Sequence, residues 1–173
     1  MPFPAISRAA QGVVLAALLA APAAAADRVF IGSYGDWEAF REGDGKTRLC
    51  YIASIPKKDE GNYTSRGNIQ AFVTHQASGN VRDEVSINAG YTYQKDSEPT
   101  ITIGGDSFKL FVNGDTAWAR DKATDRALVR SMKAGATMVV RGVSSRGTKT
   151  TDTYSLKGFT AAYNEITKAC GLN

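Results

Sequence analysis

The residues that are able to perform chemistry include a single histidine, His75, in the strand-like segment NIQAFVTHQ. A zinc site needs several His, Cys or carboxylate ligands at characteristic spacings, such as H-E-x-x-H. No such pattern surrounds His75, so we predict a solvated or edge histidine, and we expect no metal and no cofactor. A serine hydrolase is not indicated either, because the sequence lacks the G-x-S-x-G turn that presents a nucleophilic serine.

Two pairs of carboxylates stand close together in the sequence, Asp36 with Glu38 and Asp121 with Asp125. Paired carboxylates act as acid and nucleophile in glycosidases. Such pairs are also common on solvated faces, so we assign no catalytic residue and predict that the protein is not an enzyme. The alternative is a hydrolase that acts on an envelope polymer through Asp or Glu residues.

Two tryptophans, Trp37 and Trp118, lie in the strand-like segments GDWEAF and DTAWAR. We interpret both as core anchors, and the alternative is that they contact a partner or a glycan. They are therefore the candidate partner-binding residues. The hydroxyl-rich segment SSRGTKTTDTYS is interpreted as exposed strand faces with edge protection.

The N-terminus has the features of a secretory signal peptide. Arg8 precedes an apolar run, residues 9–26, which is rich in Ala and Leu and ends in an A-x-A pattern before Asp27. We predict cleavage after Ala26, which leaves a single domain over residues 27–173. The run is short beside the roughly 20 strongly apolar residues of a membrane-spanning helix, so we expect no membrane span after cleavage. The predicted location is the periplasm or the outside of the cell.

The two cysteines, Cys50 and Cys170, both lie in the predicted mature chain. An exported protein with two cysteines most simply forms one disulfide bond. The pair lacks the C-x-x-C spacing of redox-active thiols. We therefore predict a structural bond between Cys50 and Cys170, which ties an early strand to the last helix.

The charge balance gives no support to nucleic-acid binding. The whole chain has 21 Lys and Arg against 17 Asp and Glu, a net charge of +4. No basic stripe interleaved with aromatic residues is present, which is the usual electrostatic signature of a nucleic-acid-binding surface.

Short strands separated by Gly, Asn, Asp and Pro dominate the rest of the sequence. We predict roughly eight to ten strands at regular spacing, with PKKDEGNYTSRG as a loop and TITIGGDSFKLFVNGDTAWAR as three short strands. TDRALVRSMKAG predicts a short helix that ends at Gly135, and an apolar stripe predicts a second helix between Phe159 and Gly171. The predicted fold is mostly β, an antiparallel β-sandwich or a partly closed barrel with two short helices, the C-terminal one packed on the sheet.

The segments YGDWEAF, CYIASIP, SRGNIQAFVTH, DEVSINAGY, FKLFVNGDTAWAR and TYSLKGFTAAYNEITKAC together resemble the invasion-associated locus B family of Gram-negative bacteria. The most specific parts are the GDW motif, residues 35–37, and the SLKGF motif, residues 155–159. Many members have a cysteine shortly after this Trp, where the present chain has Glu38, Ala39, Phe40 and Arg41.

The resemblance implies an exported, β-rich envelope or secreted protein, and it brings no catalytic residue with it. The namesake of the family is associated with entry into host cells. We therefore predict a non-enzymatic envelope protein that binds an unknown protein or envelope partner or supports host interaction. The alternatives are the envelope-polymer hydrolase and a small-ligand carrier with an apolar pocket between its sheets.

Overall fold

A computed structural model describes residues 27–172 of the chain, so the predicted signal peptide lies outside the described residues. These residues form twelve strands, two α-helices and one 3-10 helix, Gly45–Thr47. The strands are β1 (Arg28–Tyr34), β2 (Trp37–Glu42), β3 (Leu49–Ser54), β4 (Lys58–Gly61), β5 (Gln70–Gln76), β6 (Glu84–Asn88), β7 (Thr100–Ile103), β8 (Asp106–Lys109), β9 (Phe111–Asn113), β10 (Thr116–Trp118), β11 (Thr137–Val143) and β12 (Lys149–Ser155). The helices are α1 (Lys122–Ala134) and α2 (Phe159–Ala169).

The strands form two antiparallel sheets. One has seven strands in the order β1-β2-β3-β5-β6-β10-β9, and the other has five in the order β4-β12-β11-β7-β8. Each sheet keeps two open edges, so the fold is a sandwich and not a closed barrel. The prediction of a mostly β antiparallel sandwich is thereby confirmed.

Alternating burial along the strands builds the core between the sheets. In β3 and β5, every second side chain is fully buried, including Ile52 and Val73. Met138 and Tyr154 of the five-stranded sheet are also fully buried. Burial of every second side chain is the pattern expected of a sheet that buries one face.

Helix α2 packs on the seven-stranded sheet, as predicted, and contacts β1, β2, β3 and β5. Its buried face consists of Phe159, Ala162, Tyr163 and Ile166. The predicted disulfide bond between Cys50 and Cys170 is present, with a Cα–Cα distance of 5.9 Å. It fixes the end of α2 to the buried face of β3.

The β1–β2 turn packs directly against the start of α2. The backbone N–H of Asp36 donates to the Lys157 carbonyl at 3.0 Å, and the Trp37 indole N–H donates to the Ser155 carbonyl at 3.0 Å. Gly158 has a φ of 87°, and a Cβ at this position would lie 1.9 Å from the Tyr34 carbonyl oxygen. Only glycine tolerates both this backbone conformation and this close approach.

Two segments differ from the sequence prediction. The predicted loop PKKDEGNYTSRG contains β4, whose residues are all exposed. Because β4 lies at the edge of the five-stranded sheet and pairs only with β12, it lacks the apolar alternation that marks a half-buried strand. The three strands predicted over residues 100–120 are four, β7 to β10, because the three-residue strands β9 and β10 are too short for a periodic signal.

Candidate functional site

A polar cleft opens where the chain crosses between the two sheets. It has a volume of about 590 Å³, within the size range of small-ligand sites. The β4–β5 loop and the β6–β7 loop each run from one sheet to the other, and the β11–β12 turn closes the third side. The cleft is lined by residues 62–67, 90–92, 144–146, 148 and 150.

A buried ion pair supports the floor of the polar cleft. Arg66 donates two hydrogen bonds of 2.6 Å to the two carboxylate oxygens of Asp152 in β12. The side chains of Arg66 and Asp152 are only 3% and 2% exposed. Arg66 Nε donates to the Ala89 carbonyl, just after β6, at 2.6 Å. One guanidinium therefore joins the crossing loop to both sheets.

Two tyrosines flank this guanidinium. The Arg66 Cζ atom lies 4.9 Å from the ring centroid of Tyr91 and 5.5 Å from that of Tyr63, and both rings are partly exposed in the cleft. The Tyr91 hydroxyl is 2.8 Å from the Thr150 hydroxyl. Cation–π contacts with Arg66 hold both rings in place, and the hydrogen bond with Thr150 also holds Tyr91.

Burial shifts the pKa of the groups beneath the cleft. It raises the pKa of the Asp152 carboxyl, and the hydrogen bonds from Arg66 act against that rise. It also raises the pKa of Tyr91, against the effect of the Thr150 hydrogen bond. Tyr91 is therefore a neutral phenol at physiological pH.

Backbone hydrogen bonds hold the three walls together. The Gly67 N–H donates to the Gly90 carbonyl at 2.8 Å, and the Ser145 N–H donates to the Thr92 carbonyl at 2.7 Å. Gly90 has a φ of +69°, and a Cβ there would lie 2.5 Å from the Gly67 carbonyl oxygen. Main-chain contacts therefore join the walls of the cleft above the buried ion pair.

The exposed polar groups of the cleft are hydroxyls, the Asn62 amide and one available cation. Thr64, Ser65, Thr92 and Ser145 line it and are exposed. Arg146 is also exposed and forms no salt bridge within the described chain. Of the described residues that line the cleft, none is Asp or Glu.

The four carboxylates singled out in the sequence lie outside the cleft lining. Glu38 is exposed on β2, and the other three have structural partners. Asp36 forms a salt bridge with Lys57, and the hydrogen bond from Lys57 lowers the pKa of Asp36. Asp121 caps α1 by accepting the Thr124 N–H at 2.8 Å. Asp125 is buried and accepts the Val85 N–H at 2.9 Å, and burial raises its pKa to about 6.

His75 is not the solvated or edge histidine that the sequence predicted, because it is fully buried. Helix α2 covers the end of β5, and His75 Nε2 lies 3.2 Å from the Thr167 hydroxyl. His75 Nδ1 accepts the Asp83 N–H at 3.1 Å, which places the ring proton on Nε2. Burial lowers the pKa of His75, so the ring is a neutral component of the core.

The two tryptophans have different surroundings. Trp37 is fully buried and meets Phe159 edge to face with ring centroids 5.1 Å apart. Trp118 is half-buried on the outer face of the seven-stranded sheet and stacks on the exposed Phe111 at 5.7 Å. Trp37 therefore presents no surface to a partner, and Trp118 as a partner contact stays a prediction.

The polar cleft is not apparent from the sequence. Some of its hydroxyls belong to SSRGTKTTDTYS, which the sequence predicts as exposed strand faces with edge protection, and no motif marks Arg66 or Tyr91. The available signal was an Arg and a Tyr in two separate Gly-containing crossing segments, SRGN and NAGYTY. Nothing in the sequence alone shows that these two segments meet.

The described residues contain no group of three or more His, Cys, Asp and Glu side chains placed to hold a metal ion. No α-helix of the described chain has both the length and the apolar character needed to cross a bilayer.

Comparison with known proteins gives one match. The family model described as Invasion associated locus B (IalB) protein matches residues 37–167, which span β2 to α2 and include the whole lining of the polar cleft. No curated protein and no solved structure gives a significant match.

Proposed function

The chain belongs to the invasion-associated locus B (IalB) family, and from this premise we propose that it is an exported, non-enzymatic envelope protein that binds a partner in the polar cleft. The chemistry of the cleft lining carries the proposal. Hydroxyls, two tyrosines and an arginine form a preorganised surface that is rich in hydrogen-bond donors and acceptors. Such a surface is suited to binding, and the lining offers no acid–base pair.

Export is supported by two independent features. The sequence of residues 1–26 has the composition of a signal peptide, and the fold contains a disulfide bond, which persists in oxidising compartments. We propose the periplasm or the cell exterior as the place where the mature chain acts.

The hydrolase alternative has less support than binding. Glycoside hydrolysis needs two carboxyl groups on either side of the scissile bond, roughly 5–10 Å apart. Two carboxylates contact residues of the cleft lining: Asp152 accepts both of its hydrogen bonds from Arg66, and Asp59 accepts a hydrogen bond from Tyr63. Asp152 is therefore buried and paired, and Asp59 is exposed but lies outside the cleft lining.

The proposal is tested by blocking the cleft in the mature chain, residues 27–173. Ser145→Trp places a large side chain at the exposed rim, while the Ser145 N–H can still donate to Thr92. Ser107→Trp is the matched control, because Ser107 is an exposed serine on the edge strand β8. The measurement is the fraction of protein that sediments with purified Gram-negative envelopes.

We expect the wild type and Ser107→Trp to sediment equally, and Ser145→Trp to remain in solution. Equal sedimentation of all three proteins would refute the proposal that the partner binds in the cleft. If the wild type releases soluble envelope fragments, measured as new reducing ends, the hydrolase alternative would be favoured over the binding proposal.

A further inference from the structure

We propose that the polar cleft binds an acidic saccharide, a sugar chain that carries carboxylate or phosphate groups. This inference rests on the proposed function, because it names the class of ligand for the same cleft. Three features of the lining support it: the hydroxyls, the tyrosine rings and the sign of the charge.

The hydroxyls complement a polyhydroxylated ligand. Thr64 and Ser65 stand on one wall, and Thr92 and Ser145 on the facing walls. The hydroxyls of these four residues make no hydrogen bond within the described chain. Each can both donate and accept, as can each hydroxyl of a sugar, so either direction of hydrogen bonding is available at every contact.

The tyrosine rings supply an apolar surface beside these hydroxyls. Tyr63 and Tyr91 are partly exposed in the cleft, and the guanidinium between them fixes their positions. A sugar ring has apolar C–H faces as well as hydroxyl edges. A rigid aromatic side chain gives contact area at little cost in conformational entropy, so the two surfaces match.

The charge of the cleft favours an anionic ligand. Its lining has two cations and no carboxylate. The charge of Arg66 is matched by Asp152, whereas Arg146 at the turn forms no salt bridge within the described residues. A guanidinium with free donors binds carboxylate and phosphate oxygens in a bidentate manner.

The experiment measures binding of defined probes to the mature disulfide-bonded chain by calorimetry and by NMR shifts. The probes are a tetragalacturonate, its fully methyl-esterified form, a phosphorylated mannose oligosaccharide and inorganic phosphate alone. The variants are Ser145→Trp, Arg146→Gln and, as a charge-matched control on α1, Arg130→Gln, since Arg130 is exposed outside the cleft.

We expect at least one of the two acidic oligosaccharides to bind, and the responding one identifies the acidic group. Ser145→Trp should abolish its binding. Arg146→Gln should weaken it about two- to fivefold, as for an exposed charge pair, and Arg130→Gln should leave it unchanged. The methyl ester should bind to the wild type as weakly as the acid binds to Arg146→Gln. Failure of both acidic oligosaccharides, or displacement by equimolar phosphate, would overturn the inference.

A second measurement separates this inference from the proposed function. Envelopes are treated with periodate, which cleaves the vicinal diols of sugars, before the sedimentation assay. Binding that is sensitive to Ser145→Trp and is lost after periodate supports the saccharide. Binding that is sensitive to Ser145→Trp but survives periodate keeps the proposed function and refutes a saccharide recognised through vicinal diols, the class to which the tetragalacturonate probe belongs.

Discussion

Replacing Arg66 by Met tests whether the buried ion pair holds the two sheets and the cleft together. The variant leaves the Asp152 carboxylate, with a side chain only 2% exposed, without its partner. Removing one member of a buried pair costs about 3–5 kcal/mol. The Ala89 carbonyl also loses its hydrogen bond from Arg66 Nε. We therefore expect the free energy of unfolding to fall by about 4 kcal/mol.

The assay is urea unfolding at pH 7 followed by tryptophan fluorescence, together with thermal melts. A loss of this size corresponds to a fall in Tm of about 12 °C for a chain of this length. Arg130→Met is the control, because an exposed substitution on α1 should change stability by less than about 0.5 kcal/mol. The double variant Arg66→Met with Asp152→Leu should recover most of the loss, since it leaves no unpaired charge.

Two results would refute the reasoning. One is an Arg66→Met loss below about 1 kcal/mol, the range of an exposed ion pair, which would mean that the pair is solvated in the molecule. The other is a double variant that loses the sum of the two single losses, because independent residues add and coupled residues do not.

Three further predictions concern other parts of the fold. Replacing both Cys50 and Cys170 by Ala should lower the free energy of unfolding by about 5 kcal/mol, the value that the chain-entropy model gives for a separation of 120 residues. Reducing the wild type with dithiothreitol during urea unfolding should cause the same loss. Asp125 has a folded-state pKa of about 6 against an ordinary value of 3.8, so its contribution to stability is present below pH 4 and is lost as the pH rises through 6. Asp125→Asn keeps an acceptor for the Val85 N–H. It should flatten the dependence of the urea-derived free energy of unfolding on pH between pH 4 and 7, and should raise that free energy at pH 7 by up to about 3 kcal/mol. An unchanged pH dependence would contradict this. Gly90→Ala should lower Tm more than Gly114→Ala, because both glycines have a positive φ but only Gly90 lies against another backbone segment; equal losses would show that the contact with the neighbouring loop is not tight.

The fold was predictable wherever one periodic pattern decided the structure. The alternation in β3, the apolar stripe of α2 and the Gly135 stop of α1 all follow from local sequence. The short, solvated strand β4 carries no such pattern, because its pairing with β12 satisfies the backbone and leaves its side chains free to vary.

The polar cleft was not predictable, for a different physical reason. Its walls come from three segments that are distant in sequence, and their meeting depends on the packing of two sheets. The burial of His75 has the same origin, since α2 supplies the Thr167 hydroxyl that satisfies the ring. In the sequence alone, neither the residues of the cleft nor His75 can be distinguished from ordinary surface residues, because their surroundings depend on contacts between distant segments.

The two motifs that most specifically carry the family resemblance meet in the fold. The GDW motif forms the β1–β2 turn and the SLKGF motif leads into α2, and they are joined by the Asp36–Lys157 hydrogen bond and by the contact of Trp37 with Phe159. The residues of the two motifs fix the position of the last helix on the sheet. This structural role does not depend on any ligand. Their presence therefore reports the architecture, and a shared architecture does not imply a shared function. Under the proposed function, differences in ligand specificity should arise from the hydroxyls and Arg146 at the cleft, because substitutions there leave this junction unaltered.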